Sequence, residues 1–178
     1  TYADITSDPL GARFVVGLPV DRSARLLIHA STVALSGRAI LIFGPSGSGK
    51  SSVALQLMAL GCGLVSDDQT QITARDDTLW ASAPAQIKGR IEARGIGLLG
   101  AETVASAQVV LAVDMARTEE HRLPPLRTIE IGGVSVPCLH KVEGSHLLRD
   151  FCNILNLPEQ RDRTAEPGIR AGMSDAQT

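Results

Sequence analysis

Aromatic residues are almost missing from this 178-residue chain: one Trp, one Tyr and three Phe amount to 3%. Its core must therefore be aliphatic, and at this length one domain with its own core is expected. Cysteine is equally sparse. Cys62, Cys138 and Cys152 are widely spaced and form no C-x-x-C pair, which argues against a zinc site. An odd count without a secretion signal points to reduced thiols, packed as small hydrophobes, in a cytoplasmic protein. Charge of one sign is also lacking: 17 Lys and Arg against 19 Asp and Glu leave −2. A balanced surface gives no electrostatic reason to bind nucleic acid or an anionic membrane, so any anion must be bound locally. No apolar run approaches the length of a membrane span. The opening Thr1-Tyr2-Ala3-Asp4 has neither the basic nor the apolar region of a signal peptide.

What the chain does have is the stretch Gly44-Pro45-Ser46-Gly47-Ser48-Gly49-Lys50-Ser51, which meets the pattern G-x-x-x-x-G-K-[ST] at every fixed position. Its flanks suit the chemistry. Ala39-Ile40-Leu41-Ile42-Phe43 is an apolar run short enough for a buried strand. Residues 52–60 are apolar and strongly helical, and Gly61 is a stop signal. In a strand, glycine loop and helix, the glycines let several N–H groups turn inward onto a phosphate, and the helix N-terminus adds partial positive charge. Lys50 would reach the outer phosphates and the Ser51 hydroxyl would bind Mg²⁺.

Around this stretch the sequence predicts mostly strands. Residues 1–12 read as loose, 13–20 as a first strand, and 25–35 as two short strands with His29 on the one before the phosphate-loop strand. A lone His there suits a structural or solvated role as well as a functional one. Cys62-Gly63-Leu64-Val65-Ser66-Asp67-Asp68 is a short strand ending in two carboxylates. A carboxylate at a strand end commonly helps hold the metal in phosphate-loop proteins, though Asp67 and Asp68 also suit a turn or a cap. Residues 71–74 and 78–81 form a hairpin. In Ile91-Glu92-Ala93-Arg94-Gly95-Ile96-Gly97-Leu98-Leu99-Gly100, alternating glycines suit close backbone approach more than helix. Residues 107–115 are a buried strand, 128–131 and 134–137 a hairpin around Gly132-Gly133, and 146–157 a helix. The expected organisation is one phosphate-loop kinase domain over 1–157 and a polar tail over 158–178, mobile or ordered against a partner.

Taken in order, these features resemble the catalytic domain of bacterial HPr kinase/phosphorylase. The likeness is carried by His29 in Ile-His-Ala, the loop Gly44 to Ser51, the Asp67-Asp68 pair directly after the loop's helix, and Glu92-Ala93-Arg94-Gly95-Ile96-Gly97-Leu98-Leu99. The last is similar to the family's Glu-x-Arg-Gly-Leu-Gly followed by two hydrophobic residues. The resemblance implies an α/β phosphate-loop kinase domain with a central mixed β-sheet and a phosphoenolpyruvate-carboxykinase-like topology. It implies an ATP-dependent, Mg²⁺-dependent serine protein kinase acting on the phosphocarrier protein HPr or an HPr-like carrier, reversible in many members and typically hexameric. By residue, it implies that Gly44, Pro45, Ser46, Gly47, Ser48, Gly49, Lys50 and Ser51 hold the nucleotide phosphates. Ser51 and Glu92 would hold Mg²⁺, Asp68 would take the proton of the substrate serine, and His29 and Arg122 would be active-site residues.

Two departures stand out. Only 28 residues precede His29, which reads as a short form without the additional N-terminal domain of long members. The family's Pro-x-Arg-Pro-Gly-Arg pattern, linked to dephosphorylation, is replaced by Pro137-Cys138-Leu139-His140-Lys141-Val142-Glu143-Gly144, with both arginines gone. Two other readings compete: a small-molecule or carboxykinase-like phosphate-loop kinase, and a non-catalytic nucleotide sensor.

Overall fold

The computed structural model describes Tyr2–Ala3, Phe14–Val15, residues 25–142 and His146–Asn156. The expected loose start, most of the first strand, and the polar tail over 158–178 lie outside the described residues. The strands are β1 (Tyr2–Ala3), β2 (Phe14–Val15), β3 (Arg25–Ile28), β4 (Ala30–Leu35), β5 (Arg38–Phe43), β6 (Gly63–Ser66), β7 (Thr70–Arg75), β8 (Thr78–Ser82), β9 (Arg90–Ala93), β10 (Gly97–Gly100), β11 (Ser106–Thr118), β12 (Thr128–Ile131) and β13 (Val134–Lys141). The helices are α1 (Lys50–Ala59) and α2 (His146–Asn156).

Eleven of these strands form one mixed sheet, and β9 and β10 form a separate antiparallel pair. The 13-residue β11 is its hub. One edge of β11 takes β8, antiparallel, along Ser106–Val109 and then β13, parallel, along Ala112–Thr118. The other edge takes β5, parallel, so that Asp114 lies opposite Phe43. Beyond β5 come β4 and β6, both antiparallel joins. A parallel centre with antiparallel margins is the expected mixed α/β architecture.

The period of two along β5 sorts its side chains between two cores. Ala39, Leu41 and Phe43 face a cluster shared with β3, β7, β8, β12 and β13. Ile40 and Ile42 face Ala54 and Leu57 of α1 and Phe151 and Leu155 of α2. All five of these β5 residues are buried, which explains why the segment is apolar throughout and does not alternate.

The structure corrects or sharpens three readings of the sequence. His29 is not on a strand but at the bend between β3 and β4. Residues 90–100 are a hairpin of β9 and β10, registered Glu92 to Leu98 and Ile91 to Leu99. Strand β11 runs on through the polar Arg117 to Thr118, because its ladder to β13 continues to the Thr118–Lys141 pair. The β7–β8 hairpin turns on Asp76 and Asp77 at φ 45° and 58°, a left-handed pair that Asp tolerates.

Candidate active site

The site starts where β5 stops. Gly44 has φ 143°, and a Cβ built there would lie 3.0 Å from the Met115 Cβ and 3.2 Å from the Ala116 nitrogen. That nitrogen is itself pinned, donating to Oδ1 of buried Asp114 at 2.8 Å. Only glycine lets the loop leave the sheet here. The loop then closes with Ser48 N–H donating to the Pro45 carbonyl at 3.2 Å. Gly49, at φ 96°, is the N-cap of α1 and offers no side-chain cap, and the first turn carries no acid. The leading N–H groups of α1 therefore meet no side-chain cap or first-turn carboxylate that would compete with a bound anion.

Lys50 is 6% exposed. Its Nζ donates to the Gly44 and Pro45 carbonyls, each at 3.1 Å. Burial lowers its pKa, while the carboxylates of Asp68 and Asp67 work in the opposite direction. The lysine is thus folded over the loop it would serve, with a third donor left for a phosphate oxygen.

The two adjacent acids behave differently. Asp67 is buried, and both of its oxygens are occupied. Oδ1 accepts from Ser31 Oγ at 2.6 Å and Ser51 Oγ at 2.9 Å, and Oδ2 accepts the Glu92 N–H at 3.0 Å. One carboxylate therefore ties β4, α1 and β9 together and sets where Ser51 and Glu92 stand. Asp68 turns outward: its backbone has φ 66°, a left-handed conformation that Asp adopts more readily than most residues. Its side chain is 73% exposed, and its Oδ1 lies 3.2 Å from His29 Nε2.

Several of these groups line a cavity of about 200 Å³. The loop, with Gly47, Gly49, Lys50 and Ser51, forms one part of the wall, and Asp68, Glu92 and Arg94 form another. The structure brings His29, Lys50, Ser51, Asp68 and Glu92 to one place across some 60 residues of sequence separation (29 to 92). Arg122 is not among the lining residues and is exposed in the segment between β11 and β12. Two contributors were given no firm role from sequence. Arg94, in the turn just past the end of β9, adds a cation facing Gly47, with Nη2 3.7 Å from a Cβ built there; its signal was the Glu-x-Arg spacing beside Glu92. Asp67 holds its neighbours rather than facing the cavity, and only burial could have separated it from Asp68. The arrangement supplies the loop and helix N–H groups, two cations and two carboxylates, Asp68 and Glu92, around one polar space, which is what phosphoryl transfer to a hydroxyl requires.

Comparison with known proteins places the chain among relatives. Residues 22–122 match the family described as the HPr Serine kinase C-terminal domain. The HPr kinase/phosphorylase of Lachnoclostridium phytofermentans is 39% identical over 106 residues, which are 59% of this chain and 34% of that protein. That of Streptococcus pneumoniae is 35% identical over 126 residues, 64% of this chain and 40% of that protein. The chain thus spans about a third to two fifths of the length of the curated relatives it matches. The structure of the HPr(Ser) kinase/phosphatase from Coxiella burnetii superposes with a TM-score of 0.60 at 26% identity, covering 72% of this chain and 87% of that one.

Proposed function

The chain belongs to the HPr serine kinase C-terminal domain family, and on that premise we propose that it transfers the γ-phosphoryl group of ATP to a serine of HPr or an HPr-like carrier. The observation that carries this reading is the outward Asp68 carboxylate, held by His29 on the cavity that Lys50, Ser51 and Glu92 also line. The loop amides and Lys50 bind the phosphates, and Arg94 adds charge on the far wall. These dipoles and charges are already oriented, so little reorganisation is needed as charge moves in the transition state. A serine hydroxyl is a weak nucleophile. Asp68 takes its proton as the bond to phosphorus forms, and the phosphoryl group leaves ADP. His29 positions that carboxylate, and Asp67 positions Ser51 and Glu92.

Mg²⁺ fits the donors present. Ser51 and Glu92 offer hard oxygen ligands on the cavity, and this ion takes few protein ligands together with phosphate oxygens and water. When bound it neutralises phosphate charge. By the same resemblance the protein is a cytoplasmic homo-oligomer, six copies in the family's usual form. The arginines missing from residues 137–144, most of which lie within β13, argue for loss or weakening of the reverse direction.

The test mixes the purified chain with HPr, Mg²⁺ and γ-labelled ATP, beside Asp68→Asn. Asn keeps the side-chain shape and tolerates the positive φ, so it removes the base and little else. Expected are label on an HPr serine with the unchanged chain, none with the variant, and similar ATP binding by both. ATP binding without any labelled HPr would sink the substrate assignment; equal loss of binding and transfer would sink the role of Asp68. Phospho-HPr with inorganic phosphate reads the reverse reaction in the same preparation.

A further inference from the structure

Cys62 and Cys152 are 90 residues apart in sequence, yet their sulfurs lie 4.0 Å from each other. Neither placement is loose. Helix α1 ends in a Schellman motif: Gly61 N–H donates to the Met58 carbonyl at 2.9 Å and Cys62 N–H to the Leu57 carbonyl at 3.1 Å. Gly61 takes the left-handed conformation, φ 102°, that this motif requires. Cys62 is thereby fixed just beyond the helix, with its side chain buried. Cys152 is set by its helix, whose Phe151 and Leu155 are fully buried against Leu57, Ile40 and Ile42. Cys62 belongs to that same core cluster, and Cys152 packs at its margin, half-buried. The third thiol, Cys138, is buried on β13 in the other core.

We propose that Cys62 and Cys152 are a modification site: a dithiol that low-molecular-weight disulfides convert reversibly to an intramolecular disulfide, clamping α2 to the end of the phosphate-loop helix. A bond requires the sulfurs to close from 4.0 Å to about 2.05 Å. The accessible partner reacts first. Cys152 loses its proton and attacks one sulfur of oxidised glutathione, giving a mixed disulfide and one glutathione thiolate, which takes up a proton. Cys62 then loses its proton and attacks the Cys152 sulfur, expelling the second glutathione. Two protein thiols are oxidised by two electrons, and one glutathione disulfide is reduced to two thiols. Burial, and then the neighbouring Cys152, push the Cys62 thiol up to about 12. Burial persists in the mixed disulfide, so the second step quickens as pH rises and the Cys62 thiolate fraction grows.

The experiment incubates the full chain with oxidised glutathione, at pH 7 and again at higher pH, and follows it by intact mass, thiol titration and non-reducing peptide mapping. The expected result is a loss of two hydrogens, a fall from three titratable thiols to one, and a linked pair of peptides carrying Cys62 and Cys152. The thermal midpoint should rise on bridging and return with dithiothreitol. Cys138→Ser should behave the same, while Cys152→Ser should not bridge. Mapping the unmutated chain keeps the test decisive should a variant not fold. A stable glutathione adduct on Cys152, a bridge that includes Cys138, or a bridged form with an unchanged or lower midpoint would overturn the proposal.

Discussion

Asp67 and Asp68 are neighbours with the same side chain and opposite duties. The difference lies in what surrounds each carboxylate. Asp67 accepts three hydrogen bonds inside the protein, so Asp67→Ala strands the Ser31 and Ser51 hydroxyls and the Glu92 N–H. Urea unfolding should show a loss of about 1.5–3 kcal/mol, and phosphoryl transfer should fall because Ser51 and Glu92 lose their anchor. Asp68 is exposed and bonded only to His29 among the contacts described. His29→Ala should therefore leave stability almost unchanged while, on the function proposed above, slowing the transfer of label from γ-labelled ATP to HPr. A drop in the unfolding midpoint as large as that of Asp67→Ala would mean that His29 is structural instead.

At the scale of elements, the phosphate loop works because a strand and a helix hold it from both ends. Gly44→Ala brings a Cβ to 3.0 Å from Met115 and 3.2 Å from a backbone nitrogen that Asp114 holds in place. With nowhere to shift, the loop should lose ATP affinity, and stability should drop by about 1–3 kcal/mol; a nucleotide titration and a urea curve read the two effects. On the helix, Leu57 is fully buried against β5. Leu57→Ala should cost about 2–5 kcal/mol of unfolding free energy. The hairpin of β9 and β10 carries Glu92 and Arg94 to the cavity and leaves Ile96 and Leu98 exposed, at 77% and 62%.

For the molecule as a whole, a second charged cluster ties stability to pH. Glu119 accepts from Arg127 and lies 3.0 Å from His121 Nδ1, with its side chain only 5% exposed. The Arg127 hydrogen bond leads the causes that hold its carboxyl down at about 2, against 4.5 when unperturbed. A depressed carboxyl stabilises the fold fully above 4.5, and the contribution is lost as pH falls toward about 2. His140 on β13 is shifted the same way, chiefly by burial and then by Arg127. It is neutral in the fold and must gain a proton on unfolding, so it removes stability as pH falls below 6.5. Both groups predict a fold that weakens steadily on acidification. Thermal unfolding across pH should show this slope, and Glu119→Gln should be less stable at neutral pH but converge with the unchanged chain near pH 2.

Local order was legible in the sequence because its causes are local. The loop pattern, the apolar β5, the stop at Gly61 and the β7–β8 and β12–β13 hairpins follow from glycine conformations, turn chemistry and side-chain period. The candidate site was legible as a set of residue types at family spacing, so His29, Lys50, Ser51, Asp68 and Glu92 could be named before any geometry was known. What sequence could not assign depends on contacts between distant segments. The burial of Asp67 comes from β4, α1 and β9 converging on it; Arg94 reaches the cavity from the turn that closes the β9–β10 hairpin; Arg122, exposed beyond the end of β11, is not among the residues lining the cavity. Strand β11 outran its apolar stretch because hydrogen bonds to β13, rather than side-chain hydrophobicity, decide where a strand ends. The meeting of Cys62 with Cys152 is of the same kind. Composition alone gave three unrelated thiols, and only the packing of α2 on α1 and β5 made two of them neighbours.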